Sequence, residues 1–308
     1  MNKFDEAVIN DADYNDYYMN HNKKWINFKN ELLYSNRFFT KSEISSEILN
    51  EIKNYAQRNA VTIDPGKILF RSREYEVNKA ICAQDDFNSM TEEQKQEIFV
   101  NMIISHAGTK TFNIIAKHPL IAKSLQEKSK SMEWGYSKKE SGKPSSEKAG
   151  LNRASPRYIS YLYLANDVNT ALAETRAQIG QAFSIAKYLI TKPLTITNLS
   201  FSKFRRTHNY HKNTVDVKDF ILISNLHQAF SAPSISNEKD YILSQYIAEF
   251  IKNIGLDGIA YDSSRYNGGT NYALFNDSSC KFICSEIHAV KDIKIVSKRL
   301  LPLDSGSQ

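Results

Sequence analysis

One stretch of the sequence gathers three side chains that do chemistry. Asn152-Arg153-Ala154-Ser155-Pro156-Arg157-Tyr158 leads into Tyr161-Leu162-Tyr163-Leu164-Ala165 and on to Thr170-Ala171-Leu172-Ala173-Glu174, so an arginine, a tyrosine and a glutamate fall within 22 residues. Arginine offers an anion a planar fork of donors. A tyrosine ring attracts a cation to its face. A carboxylate stabilises positive charge that develops beside it. Glu174 follows three apolar residues, and an ionised carboxylate facing such surroundings is costly unless paired. The pattern alone leaves open a functional carboxylate, a solvent-facing side chain, or a pair with Arg176 or Lys187.

The elements that must position these residues are legible in places. Tyr161–Ala165 reads as a strand. Asn166 and Asp167 are N-cap types, and a helix is predicted from Val168 to about Gln178, ending before Gly180. Phe183–Ile190 and Leu194–Leu199 read as strands, with residues 200–238 a long polar connection. A helix over Asp240–Asn253 stops at Gly255, and Gly258–Tyr261 and Asn271–Phe275 are two further strands. Upstream, Thr40 and Glu43 have capping-box spacing, followed by Ile44, Ile48, Ile52 and Tyr55 on one helix face. Asp64-Pro65-Gly66 is a turn before a short strand, Ile68–Phe70, that ends in Arg71-Ser72-Arg73. Thr91 and Gln94 open another amphipathic helix through Ile103. Residues 1–39 lack clean periodicity. Residues 123–148 hold seven Lys, seven Ser and four Glu, the composition of a mobile surface insertion. Helices and strands mix without strict alternation, which predicts an α+β fold.

The chain has 308 residues, 41% of them hydrophobic, and a formal charge of +6. That is ample length for a buried core and too mild a charge for a dedicated nucleic-acid-binding domain. The three cysteines, Cys82, Cys280 and Cys284, are odd in number, and a lone C-x3-C suits neither a structural zinc site nor a disulfide framework. No phosphate-binding glycine loop, dinucleotide fingerprint, zinc-protease motif or nucleophile elbow occurs. His208 and His211 lie close together but without a carboxylate nearby, so no metal is expected. The start, Met1-Asn-Lys-Phe-Asp-Glu, has no apolar stretch, and no apolar run approaches the ~20 residues of a membrane span. A cytoplasmic protein without membrane contact is expected.

The chain resembles the RES domain family. The resemblance is carried, in family order, by Leu69-Phe70-Arg71-Ser72-Arg73, Asn152-Arg153-Ala154-Ser155-Pro156, Tyr161–Ala165, Thr170–Glu174, Gln245–Ile251, Gly255–Tyr261, Ser263-Ser264-Arg265 and Asn271–Phe275. It spans roughly residues 60–280. The family is named for an Arg, a Glu and a Ser. Asn152 precedes the arginine where glycine is common, and Asp262 stands where proline is usual before the serine, so Ser263 and Ser264 both remain candidates.

The resemblance implies an ADP-ribosyltransferase- or diphtheria-toxin-like mixed β core flanked by helices. It divides the chain into a helical N-terminal extension (1–60) and a catalytic domain (61–300) with the insertion at 123–148. It implies an enzyme that degrades NAD+ at the nicotinamide–ribose bond, a glycohydrolase or a phosphorylase, acting as a toxin or defence effector. NAD+ is then substrate, not cofactor. Glu174, Arg153, Tyr163 and Ser263 would be catalytic, and Arg71, Arg153, Tyr163, Ser264 and Asn271 would bind the dinucleotide. An Xre-type antitoxin and a homodimer are the implied protein partners. Two alternatives stay open: transfer of ADP-ribose to a macromolecule, and a non-enzymatic regulatory or nucleic-acid-binding module using the basic run Lys203-Phe204-Arg205-Arg206. Read without the resemblance, a structural alternative stays open for each: Tyr163 as a core aromatic, Arg71 as a surface partner of Glu74 or Glu76, and Ser263 as the start of a turn before Gly268-Gly269.

Overall fold

A computed structural model describes residues 11–75, 91, 134–207, 217–231 and 238–294. In chain order it contains α1 (Asp11–Tyr34), α2 (Glu43–Arg58), β1 (Ala60–Ile63), β2 (Ile68–Glu74), α3 (Lys138–Ser141), a 3-10 turn (Ser146–Lys148), β3 (Leu162–Ala165), α4 (Val168–Glu174), β4 (Ala182–Ile190), β5 (Leu194–Asn198), α5 (Phe201–Thr207), α6 (Val217–Ser231), α7 (Glu238–Asn253), β6 (Gly258–Asp262), β7 (Thr270–Leu274) and β8 (Cys280–Ala289). The eight strands form one sheet in the order β1-β5-β6-β7-β3-β2-β4-β8. Only β5 and β6 are parallel; every other pairing is antiparallel. The α+β expectation is borne out.

Strand periodicity divides the core in two. Tyr161, Ile259, Tyr261, Ala273 and Phe275 face the helices. Their alternates Leu162, Leu164, Ala260, Tyr272 and Leu274 belong to a second cluster with Leu69, Tyr188 and Ile196. On the helical side, Trp25, Phe28 and Leu32 of α1 and Ile48, Ile52 and Tyr55 of α2 pack with Leu222, Ile223 and Leu226 of α6 and Ile247 and Ile251 of α7. The N-terminal helices are therefore part of the main core. α1 buries His21, Trp25, Phe28 and Leu32 at helical spacing while leaving Met19, Ile26 and Tyr34 exposed, so apolar residues lie all round it and no stripe shows in the sequence.

Several local expectations are corrected. α2 is capped by Ser42, whose hydroxyl accepts from Ser45 N at 3.1 Å; Thr40 instead meets the Tyr246 hydroxyl at 3.2 Å. The β2 strand runs on through Arg71 and Arg73 to Glu74. The connection at 200–238 contains α5 and α6. The latter buries Ile221, Leu222, Ile223, Leu226 and Phe230, too continuous an apolar run to give a one-sided stripe. α4 stops at Glu174 because Thr175 and Arg176 close it, Arg176 with φ 56°.

The described part of the Lys/Ser-rich stretch, residues 134–148, is hydrogen-bonded to β4 and β8. Trp134 N donates to Ser285 O at 3.0 Å, and Tyr136 N to Ser184 Oγ at 2.8 Å. Gly135 permits this approach, since a Cβ there would lie 2.3 Å from Ser184 Oγ. Ser137 and Glu140 form a reciprocal capping box on α3. Residues 123–133, the Thr91–Ile103 helix, Glu76, Cys82, His208 and His211 lie outside the described residues, as do the side chains of Arg205 and Arg206. Among the described residues no helix is long and apolar enough to cross a membrane.

Candidate active site

The sheet opens between β2 and β3. β2 pairs with β4 over seven residues, but with β3 only at Phe70 and Ala165. Beyond that bridge the strands splay, and Arg71 and Ser72 on one side and Tyr163 and Leu164 on the other line a cleft of about 380 Å³. A smaller cleft of about 300 Å³, beside Lys67, Lys203 and Tyr272, contains none of the expected catalytic or dinucleotide-binding residues.

α4 places Glu174 on this cleft. Asp167 caps the helix, accepting from Thr170 N and Thr170 Oγ1, both at 2.8 Å. Asn166 ties the helix start to β7 by accepting from Thr270 N at 2.7 Å and donating its amide to Thr270 O at 3.0 Å. Gly269 abuts Thr170, where a Cβ would lie 2.5 Å from Oγ1. The 262–270 loop is thus pressed against α4, and Ser263 Oγ donates to Glu174 Oε1 at 2.6 Å. Asn271 Nδ2 donates to the same oxygen at 2.7 Å. Glu174 pairs with neither Arg176 nor Lys187; Lys187 is bound to Glu286 at 2.5 Å.

Ser263 and Ser264 separate in space. Ser263 accepts from the amides of Arg265 (3.1 Å) and Tyr266 (3.0 Å) and holds the carboxylate. Ser264 faces the cleft. Asp262, just before them, is buried, which by itself opposes its charge. Contact with His227 and hydrogen bonds from Ser200 and Ser202 outweigh that and hold its carboxyl far below the usual carboxylate range. The bonds are Ser200 Oγ to Oδ1 at 2.5 Å, Ser202 Oγ to Oδ1 at 2.7 Å and Ser202 N to Oδ2 at 3.0 Å. The His227 ring nitrogen lies 3.4 Å from Oδ2.

The Arg153 loop is fastened from α7. Ser244 Oγ donates to Arg153 O at 2.6 Å, and Gln245 Nε2 donates to Asn152 O at 2.7 Å and Ser155 O at 3.2 Å. Arg153 donates to Ala229 O at 3.2 Å, with its guanidinium 5.5 Å from the Tyr241 ring centre. Tyr163 meets Ser155 Oγ at 2.9 Å through its hydroxyl; burial raises this phenol well above its ordinary pKa. Arg71 is not paired with Glu74, which accepts from Gln181 instead. It donates to Gly142 O at 2.6 Å and Ser141 O at 3.3 Å. Burial, with Arg73 nearby, lowers its pKa to about 10.

One cleft therefore collects Arg71, Arg153, Tyr163, Glu174, Ser264 and Asn271, with Ser263 behind Glu174. The sequence reading passes over Ser244 and names Gln245, Asp262 and Arg176 without giving them a place in the site. The first two carry a signal: Ser244 and Gln245 are polar residues within the buried face of α7. Among the described residues no cluster of three His, Cys, Asp or Glu could hold a metal. The cleft's charged lining is four arginines, Arg71, Arg153, Arg176 and Arg265, against Glu174 and Asp262. Such a lining accepts an anionic ligand and sets a carboxylate beside it.

The RES domain family model matches residues 130–294. That span holds every cleft residue from Arg153 to Asn271; Arg71 lies before it. No curated protein matches the chain. Among solved structures, the M. tuberculosis MbcT-MbcA toxin-antitoxin complex is similar over 79% of this chain and 92% of that chain, with 8% identity and a TM-score of 0.36.

Proposed function

The chain belongs to the RES domain family, and from that premise we propose that it cleaves the nicotinamide–ribose bond of NAD+. The observation that carries the reading is the fixed carboxylate: Glu174 Oε1 takes two hydrogen bonds, from Ser263 and Asn271, on a cleft lined by tyrosine and arginine. Breaking the bond sends its electron pair to the nicotinamide nitrogen and leaves positive charge on the ribose. Glu174 stabilises that charge, and fixing it beforehand removes the cost of orienting it during reaction. The arginine-rich wall receives the pyrophosphate. Tyr163 presents its ring to the nicotinamide cation. Water or phosphate then bonds to the ribose carbon and loses its proton.

In this reading the protein is a toxin or defence effector that depletes NAD+, restrained by an Xre-type antitoxin. The test is nicotinamide release from NAD+ by the purified chain, beside Glu174→Gln, which keeps the shape and removes the charge. Release by the wild type and its loss in the variant support the reading. Equal activity in both overturns it. Label from NAD+ fixed to macromolecules, in place of free product, would make the protein an ADP-ribosyltransferase.

A further inference from the structure

Arg176 occupies an unusual position. Ala177 N donates to Leu172 O at 3.3 Å and Arg176 N to Ala173 O at 3.0 Å, the two bonds of a Schellman closure on α4. Arg176 is then the residue that must be left-handed, and its φ is 56°. Glycine is the usual occupant, because any Cβ there carries a steric penalty. Here the position holds a long cationic side chain, exposed and lining the cleft two residues beyond Glu174. Among the described residues its guanidinium has no hydrogen bond or ion pair that would offset the penalty. Strain retained at a cleft points to a role for the side chain.

Arg265 is likewise exposed and lines the same cleft. Its amide donates to Ser263 Oγ at 3.1 Å, the hydroxyl that in turn donates to Glu174. Its guanidinium, too, has no partner among the described residues. Arg71 and Arg153 differ, since each spends a donor on a backbone carbonyl in the wall. The two engaged arginines are half-buried and the two unengaged ones are exposed, and the exposed pair is tied through the backbone to the elements that carry Glu174 and Ser263.

We propose that Arg176 and Arg265 clamp a phosphate group at the cleft mouth. The phosphate is either the pyrophosphate of the dinucleotide or a free phosphate, whose oxygen bonds to the ribose carbon as nicotinamide leaves with the electron pair of the broken bond. The clamp deepens the NAD+-cleaving reading and rests on it for its place in the reaction.

The test uses the full chain with Arg176→Gly, Arg265→Gln and the double variant. Arg176→Gly relieves the left-handed strain, so it melts at a higher temperature than the wild type. Each variant weakens phosphate-group binding about tenfold, the worth of one charge-assisted contact. If the dinucleotide supplies the phosphate, KM for NAD+ rises by that factor with or without added phosphate, and calorimetric binding of inorganic pyrophosphate weakens in parallel. If free phosphate is bound, KM for phosphate rises and KM for NAD+ does not. A double variant with both KM values and both anion affinities unchanged overturns the clamp while leaving the NAD+ reading intact. A wild type that releases no nicotinamide overturns the NAD+ reading, and the calorimetry still decides the clamp: unequal pyrophosphate or phosphate binding keeps it, and equal or absent binding ends it.

Discussion

Ser263 Oγ lies 2.6 Å from Glu174 Oε1 and accepts two backbone amides on its other side. A hydroxyl has one proton and two lone pairs. With both lone pairs engaged, the proton is directed at the carboxylate. Ser263 therefore aims the Glu174 carboxylate. Ser263→Ala removes one of two donors to that oxygen, and NAD+ cleavage is expected to fall about ten- to hundredfold, mostly in kcat. Ser264→Ala, on the cleft side, is expected to act on KM. Steady-state kinetics of the pair separates the roles, and equal kcat losses would remove the distinction.

Asn271 provides a charge test of the same oxygen, 2.7 Å away. Asn271→Asp replaces a donor by a second carboxylate. The change removes one of the two donors that hold the Glu174 carboxylate and sets a like charge against it. The kcat for nicotinamide release should fall at least about tenfold. Steady-state kinetics measures it, and an unchanged kcat would show that the two side chains do not share the site.

The arginine loop depends on Gln245. Its amide satisfies Asn152 O and Ser155 O from within the buried face of α7. Gln245→Leu keeps the volume and strands Asn152 O, while Ser155 O keeps its bond from Asn152 N at 2.9 Å, so unfolding free energy should drop by about 1–3 kcal/mol. Activity should drop further than stability explains at temperatures where the variant is folded, because Arg153 lies in that loop. A variant that melts early but shows wild-type kinetics below its transition would confine Gln245 to a structural role.

Much of this site is legible in the sequence. Arg153, Tyr163 and Glu174 fall on one cleft because a short loop, a strand and a helix that follow one another closely have few ways to pack, and Asn271 joins them through the pairing of β7 with β3. What the sequence hides is long-range or conformational. Ser263 and Glu174 are far apart in the chain, and their contact depends on Gly269 meeting Thr170. α4 is shorter than its residues suggest because Arg176, where glycine is usual, gives no stop signal. α1 and α6 lack a clean period because their apolar residues are not confined to one stripe. The docking of residues 134–148 rests on serines of β4 and β8 that reveal nothing locally.

Asp262 predicts an acid sensitivity. Its carboxyl is held below the usual range by Ser200, Ser202 and His227 in spite of burial. A carboxyl whose folded pKa is depressed adds stability above its unfolded value of about 3.9, and that stability is lost as pH falls through the folded value. Asp262→Asn should cost about 1–3 kcal/mol at neutral pH. The gap between wild type and variant should narrow below about pH 4. Denaturant unfolding at neutral and acidic pH measures it, and a gap that stays constant would place the stabilising bonds elsewhere.

The N-terminal helices make the last prediction. Phe28 is fully buried and meets Tyr246 of α7 edge-on, with ring centres 6.0 Å apart. It belongs to the same core cluster as Tyr161, Ile259 and Phe275 of the sheet. If residues 1–60 were a separable extension, emptying this position would leave the cleft-bearing part of the chain untouched. As one core, Phe28→Ala should lower the stability of the whole unit by about 3–5 kcal/mol, by lost burial and by the cavity left behind. Phe38→Ser, at a residue 77% exposed, should change it by less than about 0.5 kcal/mol. A single melting transition that moves for the first variant and not for the second, with nicotinamide release lost at the same temperature, is the expected result. A second, unmoved transition that retains activity would restore the separate extension.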